Sequence, residues 1–214
     1  MKAVAILVAG SGGQASVVLD ACLAAQVGVA GLILASDGVP LEKFKVPVLG
    51  PLGLLADPTF LSSHAISIGS GDARQRREFA FSILERGGSL ATVIHPASTV
   101  SSSAQIGDGT MLAAGAVVGP NAKVGRFCIV NTCSSIDHDN VLEDGANLGP
   151  GVHFAGTVTR REDAFVGTGA TAIPGVCIGR RAIVGAGATV TADVADDTTV
   201  VGTPARVIKT RSFA

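Results

Sequence analysis

The sequence predicts a chain of two unlike units: an α/β unit built on a βαβ element, followed by a parallel β-helix of hexapeptide repeats. Three observations carry this. Up to about residue 90 short apolar runs alternate with helical patterns, and from about residue 98 an aliphatic residue recurs at every sixth position. The composition joins 28 Gly in 214 residues to a complete lack of Trp and Tyr. That glycine share is about twice the usual one, and few aromatics among many small side chains suit a narrow, regular interior. A hydrophobic content of 47% excludes intrinsic disorder, which requires low hydrophobicity.

In the first unit, residues 4–8 read as an apolar strand and Gly10-Ser11-Gly12-Gly13-Gln14 as a loop. Residues 16–26 read as a helix, because Val17, Leu19, Cys22 and Leu23 recur at helical spacing. Residues 29–34 and 65–68 read as further strands, the latter closed by Gly69-Ser70-Gly71, and residues 74–86 as an amphipathic helix carrying Phe79 and Ile83. Strand, glycine turn, helix, strand is a Rossmann-like βαβ unit and argues for a small parallel sheet. The expected domains are 1–92 and 93–214.

In the second unit, counting by six from Val100 reaches Val, Ile, Leu or Phe at fourteen of sixteen positions, Arg160 and Ala172 being the exceptions. Four residues beyond each aliphatic position the chain is small or Val, with Asn140 the bulkiest polar departure. Gly follows the aliphatic position at 107, 119, 125, 149, 167, 179 and 185. Three successive hexapeptides, each with one short strand, then make one triangular coil. Aliphatic side chains point inward, and Gly supplies unusual backbone angles at the turns. Arg126, Glu143, Asp144, Arg180 and Arg181 fall at outward or turn positions.

Sixteen Lys and Arg against seventeen Asp and Glu leave a net charge of -1, too little for a basic face that binds nucleic acid. Mean hydropathy is +0.49, yet the uncharged run between Asp20 and Asp37 is broken by Gln26, Gly28 and Gly31. It is shorter than the ~20 apolar residues a membrane span needs. The expectation is a soluble cytoplasmic chain with no membrane insertion. Cys22, Cys128, Cys133 and Cys177 form no CxxC pair and read as small hydrophobes. His95, before Pro96, reads as structural or capping, and the spacing of His95, His138 and His153 suits no zinc site, so no metal is expected.

One place in the repeat stands out chemically. His138 lies in Ile136-Asp137-His138-Asp139-Asn140, an acid-flanked imidazole interrupting an apolar pattern and so a candidate general base. Spacing leaves open whether Asp137 or Asp139 orients it. The Gly10–Gln14 loop opens a helix whose N–H groups suit phosphate, although GSGGQAS lacks the full GxGxxG spacing.

The repeat run ending in Val201-Gly202-Thr203-Pro204-Ala205-Arg206 resembles the left-handed β-helix acyltransferases. Joined to the Gly10–Gln14 loop and its βαβ unit, it resembles the sialic-acid O-acetyltransferase-like sugar acetyltransferases, among them the bacillosamine- and perosamine-type N-acetyltransferases of nucleotide-linked 4-amino sugars. The resemblance implies a left-handed coil and direct transfer from acetyl-CoA to the 4-amino group of a nucleotide-linked dideoxy amino sugar. It implies His138 as base with Asp139 as its orienting acid. Asn147 (where a relative has His), Gly156, Thr168 and Ala186 would hold acetyl-CoA. Gly12, Gly13, Gln14, Ser36, Asp37 and Gly69 would hold the nucleotide sugar, Gln14 standing where a relative has His. A homotrimer with acetyl-CoA grooves between subunits is implied as well. The competing readings are a sialic-acid-type sugar O-acetyltransferase and a non-catalytic nucleotide-binding scaffold.

Overall fold

The computed structural model describes residues 2–211, and the chain divides into two compact units after Pro96. The first holds a five-stranded parallel sheet of β1 (Ala3–Val8), β2 (Val29–Leu34), β3 (Val48–Pro51), β4 (His64–Gly69) and β5 (Ser89–Leu90), in the order β3-β2-β1-β4-β5. Its helices are α1 (Gly13–Ala24), α2 (Pro58–Ser63) and α3 (Ala73–Glu85). The last five residues of β1 are buried, as a strand paired on both edges requires. Sheet order reverses between β1 and β4, and a ligand crevice in an open parallel sheet forms at the carboxyl ends of such a pair.

Sequence pattern missed β3, α2 and β5. A four-residue strand containing Gly50 and Pro51, a six-residue helix and a two-residue strand are too short to show a period. Helix α1 starts three residues before the expected Ser16, because Gly12 turns left-handed (φ 76°) and caps it. It ends before Gln26, which is itself left-handed.

The second unit is a parallel β-helix with three faces of two-residue strands. Face I stacks Thr99–Val100, Val117–Val118, Ser135–Ile136, His153–Phe154, Thr171–Ala172 and Thr189–Val190. Face II runs from Gln105–Ile106 to Cys177–Ile178, and face III includes Met111–Leu112, Ile129–Val130, Asn147–Leu148, Phe165–Val166 and Ile183–Val184. Val117 pairs with Ser135 and Ile129 with Asn147, each three hexapeptides further on, which is the coil length read from the repeat. A final strand, Arg206–Thr210, turns back antiparallel on Thr198–Val201.

The aliphatic row and the small-residue row together fill the interior, from Leu112 and Ala116 to Val190 and Val194. Polar members of these rows are buried against carbonyls. Thr110 Oγ1 donates to Gly125 O at 2.7 Å and Ser134 Oγ to Gly149 O at 2.8 Å. Arg160, also inside, reaches Gly145 O at 3.4 Å. Leu148 is fully enclosed, so Leu148→Ala is expected to cost about 2–5 kcal/mol, read as a lower denaturant midpoint at unchanged slope.

Glycine does supply left-handed angles at many turns, but at other positions than directly after the aliphatic residue. Left-handed φ falls three residues after the aliphatic position, at Gly109, Gly115, Asn121, Phe127, Cys133, Asp139 and so on up the coil. The glycines directly after the aliphatic position have no positive φ. They are small because the next coil lies against them: a Cβ at Gly119 would stand 2.7 Å from Asp137 C and 2.9 Å from His138 N. Charged side chains line the corner between faces II and III, where Arg126 meets Asp144 and Arg181 meets Asp197, each at 2.6 Å. Among the described residues no helix is long and apolar enough to cross a membrane.

Candidate active site

The imidazole sits on the corner between faces I and II, at one level of a stack that repeats with every coil. Its Nδ1 lies 2.8 Å from Asp139 Oδ2, whose other oxygen takes a bond of 3.2 Å from Asn121 Nδ2 in the coil before. Asp137 is engaged differently, since its Oδ1 accepts the His138 backbone N–H at 2.8 Å. Geometry thus decides what spacing left open, and the ring is oriented by Asp139. Asp139 reaches it from a left-handed backbone (φ 57°), a conformation that Asn121 and Thr157 share on the same corner.

The bond to the His138 ring, and after it the Asn121 amide, hold the Asp139 carboxyl below the usual carboxylate range. It therefore stays ionised to lower pH than a free Asp, and the contact weakens only as pH falls through that depressed value. With Nδ1–H given to a carboxylate, Nε2 carries the lone pair and is the basic atom. Asp139→Asn is expected to lower kcat, because an amide no longer fixes the ring with Nδ1–H towards position 139 and Nε2 free to take a proton. Steady-state thiol release checks this.

Gly156 lies one full coil beyond His138, and a Cβ built on it falls on the His138 ring. The buried glycine is thus a floor for the imidazole. The equivalent backbone N–H is taken by a carboxylate in other turns, at Arg126 by Asp144 and at Arg180 by Asp196. Among the described residues none takes that of Gly156.

The other expected co-substrate residues lie elsewhere on the coil. Thr168 and Ala186 are exposed on the corner between faces III and I, one directly above the other in successive coils. Asn147 is on face III and nearly buried. Beside Thr168 and Ala186, a Cβ at Gly169 or Gly187 meets nothing within 4 Å, so that corner offers open room along small residues.

In the first unit a cavity of about 680 Å³ opens at the carboxyl ends of β1 and β4, where sheet order reverses. Gly13, Gln14 and Asp37 line it, with Gly10, Ser70, Arg74, Gln75 and Glu78. Among the described residues no side chain caps α1, and its first turn carries no acid, so its N-terminus favours an anion. Gly12, Ser36 and Gly69 do not line the cavity. Gly12 packs under Leu41, and Gly69 passes so close to Ala15 that a Cβ would stand 2.6 Å from its Cα. Sequence reading missed Ser70 to Glu78, although the second glycine turn before a helix was a signal that this loop mirrors the first. The loop is held firmly: Ser70 Oγ donates to Gln75 Oε1 at 2.7 Å, and Asp72 Oδ1 caps α3 through Gln75 N at 2.8 Å.

Among the described residues, His138 is the only imidazole on the corner between faces I and II. Burial pushes the Cys22 thiol up to about 11, and Cys128 donates to Glu143 O inside the coil, so both pack as hydrophobes. Among the described residues no three His, Cys, Asp or Glu side chains gather to hold a metal.

A hexapeptide coil bearing a carboxylate-oriented imidazole at one corner, with a switch-point cavity in a separate α/β unit, defines a β-helix acyltransferase class. No family model matches the chain. It is similar to a mutant form of GDP-perosamine N-acetyltransferase from Caulobacter crescentus solved with CoA and GDP-perosamine, at 33% identity, 98% coverage of both chains and a TM-score of 0.91. The acetyltransferase domain of PglB from Neisseria gonorrhoeae, solved with acetyl coenzyme A, is 31% identical over 97% of this chain and 99% of that one, with a TM-score of 0.88. GDP-perosamine N-acetyltransferase of Escherichia coli O157:H7 is 33% identical over 122 residues, 57% of this chain. The chain spans 54% of the length of that curated relative. This chain belongs to the hexapeptide-repeat family of nucleotide-amino-sugar N-acetyltransferases.

Proposed function

We propose that the chain is an acetyl-CoA-dependent N-acetyltransferase acting on the 4-amino group of a nucleotide-linked dideoxy amino sugar. The observation that carries this reading is the His138 ring, bonded to Asp139 through Nδ1 and lying against Gly156. The acceptor amine attacks the acetyl carbonyl carbon while its proton passes to His138 Nε2. The C–S bond breaks, and the departing thiolate takes a proton from the imidazolium. Gly156 N–H stabilises charge on the carbonyl oxygen. Holding both reactants together supplies much of the rate, so no covalent acyl-enzyme is needed. Of the proteins it resembles, the Caulobacter enzyme was crystallised with CoA and GDP-perosamine, including two mutants in which one histidine is replaced by Ala or Asn.

The Rossmann-like first unit, expected over residues 1–92, is assigned to the nucleotide sugar. The α1 N-terminus would meet the diphosphate, and Gln14 and Asp37 the remaining groups, with Arg74 and Glu78 added to the sequence-derived set. Residues 93–214 carry acyl transfer. Because Thr168 and Ala186 occupy a different corner from His138, and Asn147 a different face, a groove using all of them draws on two copies. A homotrimer provides that with closed symmetry, and light scattering at micromolar concentration checks it. We place the reaction in the cytoplasm, which supplies acetyl-CoA.

The test is thiol release from acetyl-CoA against a panel of GDP-, UDP- and CMP-linked sugars with amine or hydroxyl acceptors. Release is expected with a nucleotide-linked 4-amino sugar. Release only with a hydroxyl acceptor would make the chain an O-acetyltransferase, and tight nucleotide binding with no release at all would make it a scaffold.

A further inference from the structure

We infer that Asn140 is a positioning residue that clamps the His138 turn to the turn carrying Gly156. This rests on the reading of His138 as the base. Asn140 is wholly buried in the small-residue row of the coil interior. Its Nδ2 donates to Asp137 O at 2.8 Å and to Ala155 O at 2.9 Å, with His138 O a further 3.4 Å contact. The first of these carbonyls precedes His138, and the second precedes Gly156. One amide group thereby spans both sides of the contact between the imidazole and its floor.

Comparison with the same row elsewhere in the coil shows that this is more than the fold requires. Thr110 and Ser134 each donate through the hydroxyl to a carbonyl of the next coil, the counterpart of the bond to Ala155 O. The second bond, back to Asp137 O, stands where other turns use the backbone N–H of the row residue, as Ala116 N does to Ala113 O and Ser134 N to Asn131 O, so here a side chain ties the catalytic turn. Val152, Val158 and Val176 fill the same place with no side-chain donor, and the coil closes around them. Asn140 also carries a cost that valine would avoid, because its Oδ1 is buried with no partner. A side chain that breaks the local rule at the one chemically distinct turn points to a function at that turn. On its Gly156 side the ring has no slack, since that floor leaves no space for even a methyl group. A slip of about 1 Å at a reacting group costs about 10²-fold in rate.

The experiment compares Asn140→Val, a residue the row already accepts, and Asn140→Ser with the parent, with His138→Ala and with the double variant His138→Ala/Asn140→Val. Rates are measured with acetyl-CoA and GDP-perosamine, and the His138 ring is followed by ¹⁵N spectra without substrate. Asn140→Val is expected to lower kcat by about 10²-fold at unchanged KM for both substrates. Asn140→Ser should lose less. Adding Asn140→Val to His138→Ala should cause no further loss, because Asn140 acts only through the ring. The Nδ1 proton bonded to Asp139 should exchange faster in Asn140→Val. A folded Asn140→Val protein with parental kcat or an unchanged His138 spectrum overturns the proposal, as does an undiminished extra loss in the double variant. A parental rate in His138→Ala alone would instead overturn the reading of His138 as base.

Discussion

His138→Ala is expected to lower kcat by about 10²–10⁴-fold, the usual contribution of a positioned general base, while CoA and nucleotide-sugar binding persist. The expectation follows from the ring's place. It is exposed on a coil corner, its Nδ1 is engaged by Asp139 at 2.8 Å, and its remaining nitrogen is the basic atom. The ring takes no part in the apolar interior, so its removal leaves that core untouched. His138→Asn keeps a polar side chain but lacks an atom that takes up a proton near neutral pH, and should fall equally far. Steady-state thiol release together with calorimetric titration of CoA separates the two effects. Parental kcat in either variant would remove His138 from the mechanism.

Gly156→Ala is expected to be nearly as damaging from a residue that performs no proton transfer. Gly156 has no positive φ, so alanine fits its backbone without strain. The added Cβ nevertheless falls on the His138 ring, and the ring must swing outward or lose its bond to Asp139. A displacement of that size lowers kcat by about 10²-fold. Melting should stay close to the parent, and a crystal structure of the variant should show a rotated imidazole. If the ring keeps its place and the rate is parental, Gly156 is only a structural glycine.

The candidate site is legible in the sequence to an uneven degree. His138 is visible because a polar residue breaks an apolar repeat. Its pairing with Asp139 is not, since Asp137 is equally near along the chain and backbone conformation alone decides which carboxylate reaches the ring. Asn121 could have been found by stepping one coil back from Asp139, and the packing of Gly156, already expected as a co-substrate contact, against the ring by stepping one coil forward from His138. Asn140 stands out as an exception in its row, but its work lies in carbonyls of two coils, which no linear spacing displays. In the first unit, Gly12 and Gly69 are expected as ligand contacts, and the structure shows in addition that each lies where a Cβ would clash with a neighbour. Arg74 and Glu78 enter the cavity from α3, which reaches it only because β4 lies beside β1.

The glycine-rich, aromatic-poor composition and the six-residue period by themselves determined the β-helix, its coil length and its inward row. Facing inward or outward is a property of each residue and its near neighbours, so it is written along the chain. Tertiary structure alone decided which residues share a corner, where the left-handed turns fall, and that Thr168 and Ala186 stand on a different corner from His138. Those relations join residues of neighbouring coils, or cross a sheet whose strand order differs from chain order. They are set by the stacking of backbone on backbone, which periodicity foretells in number but not in contact.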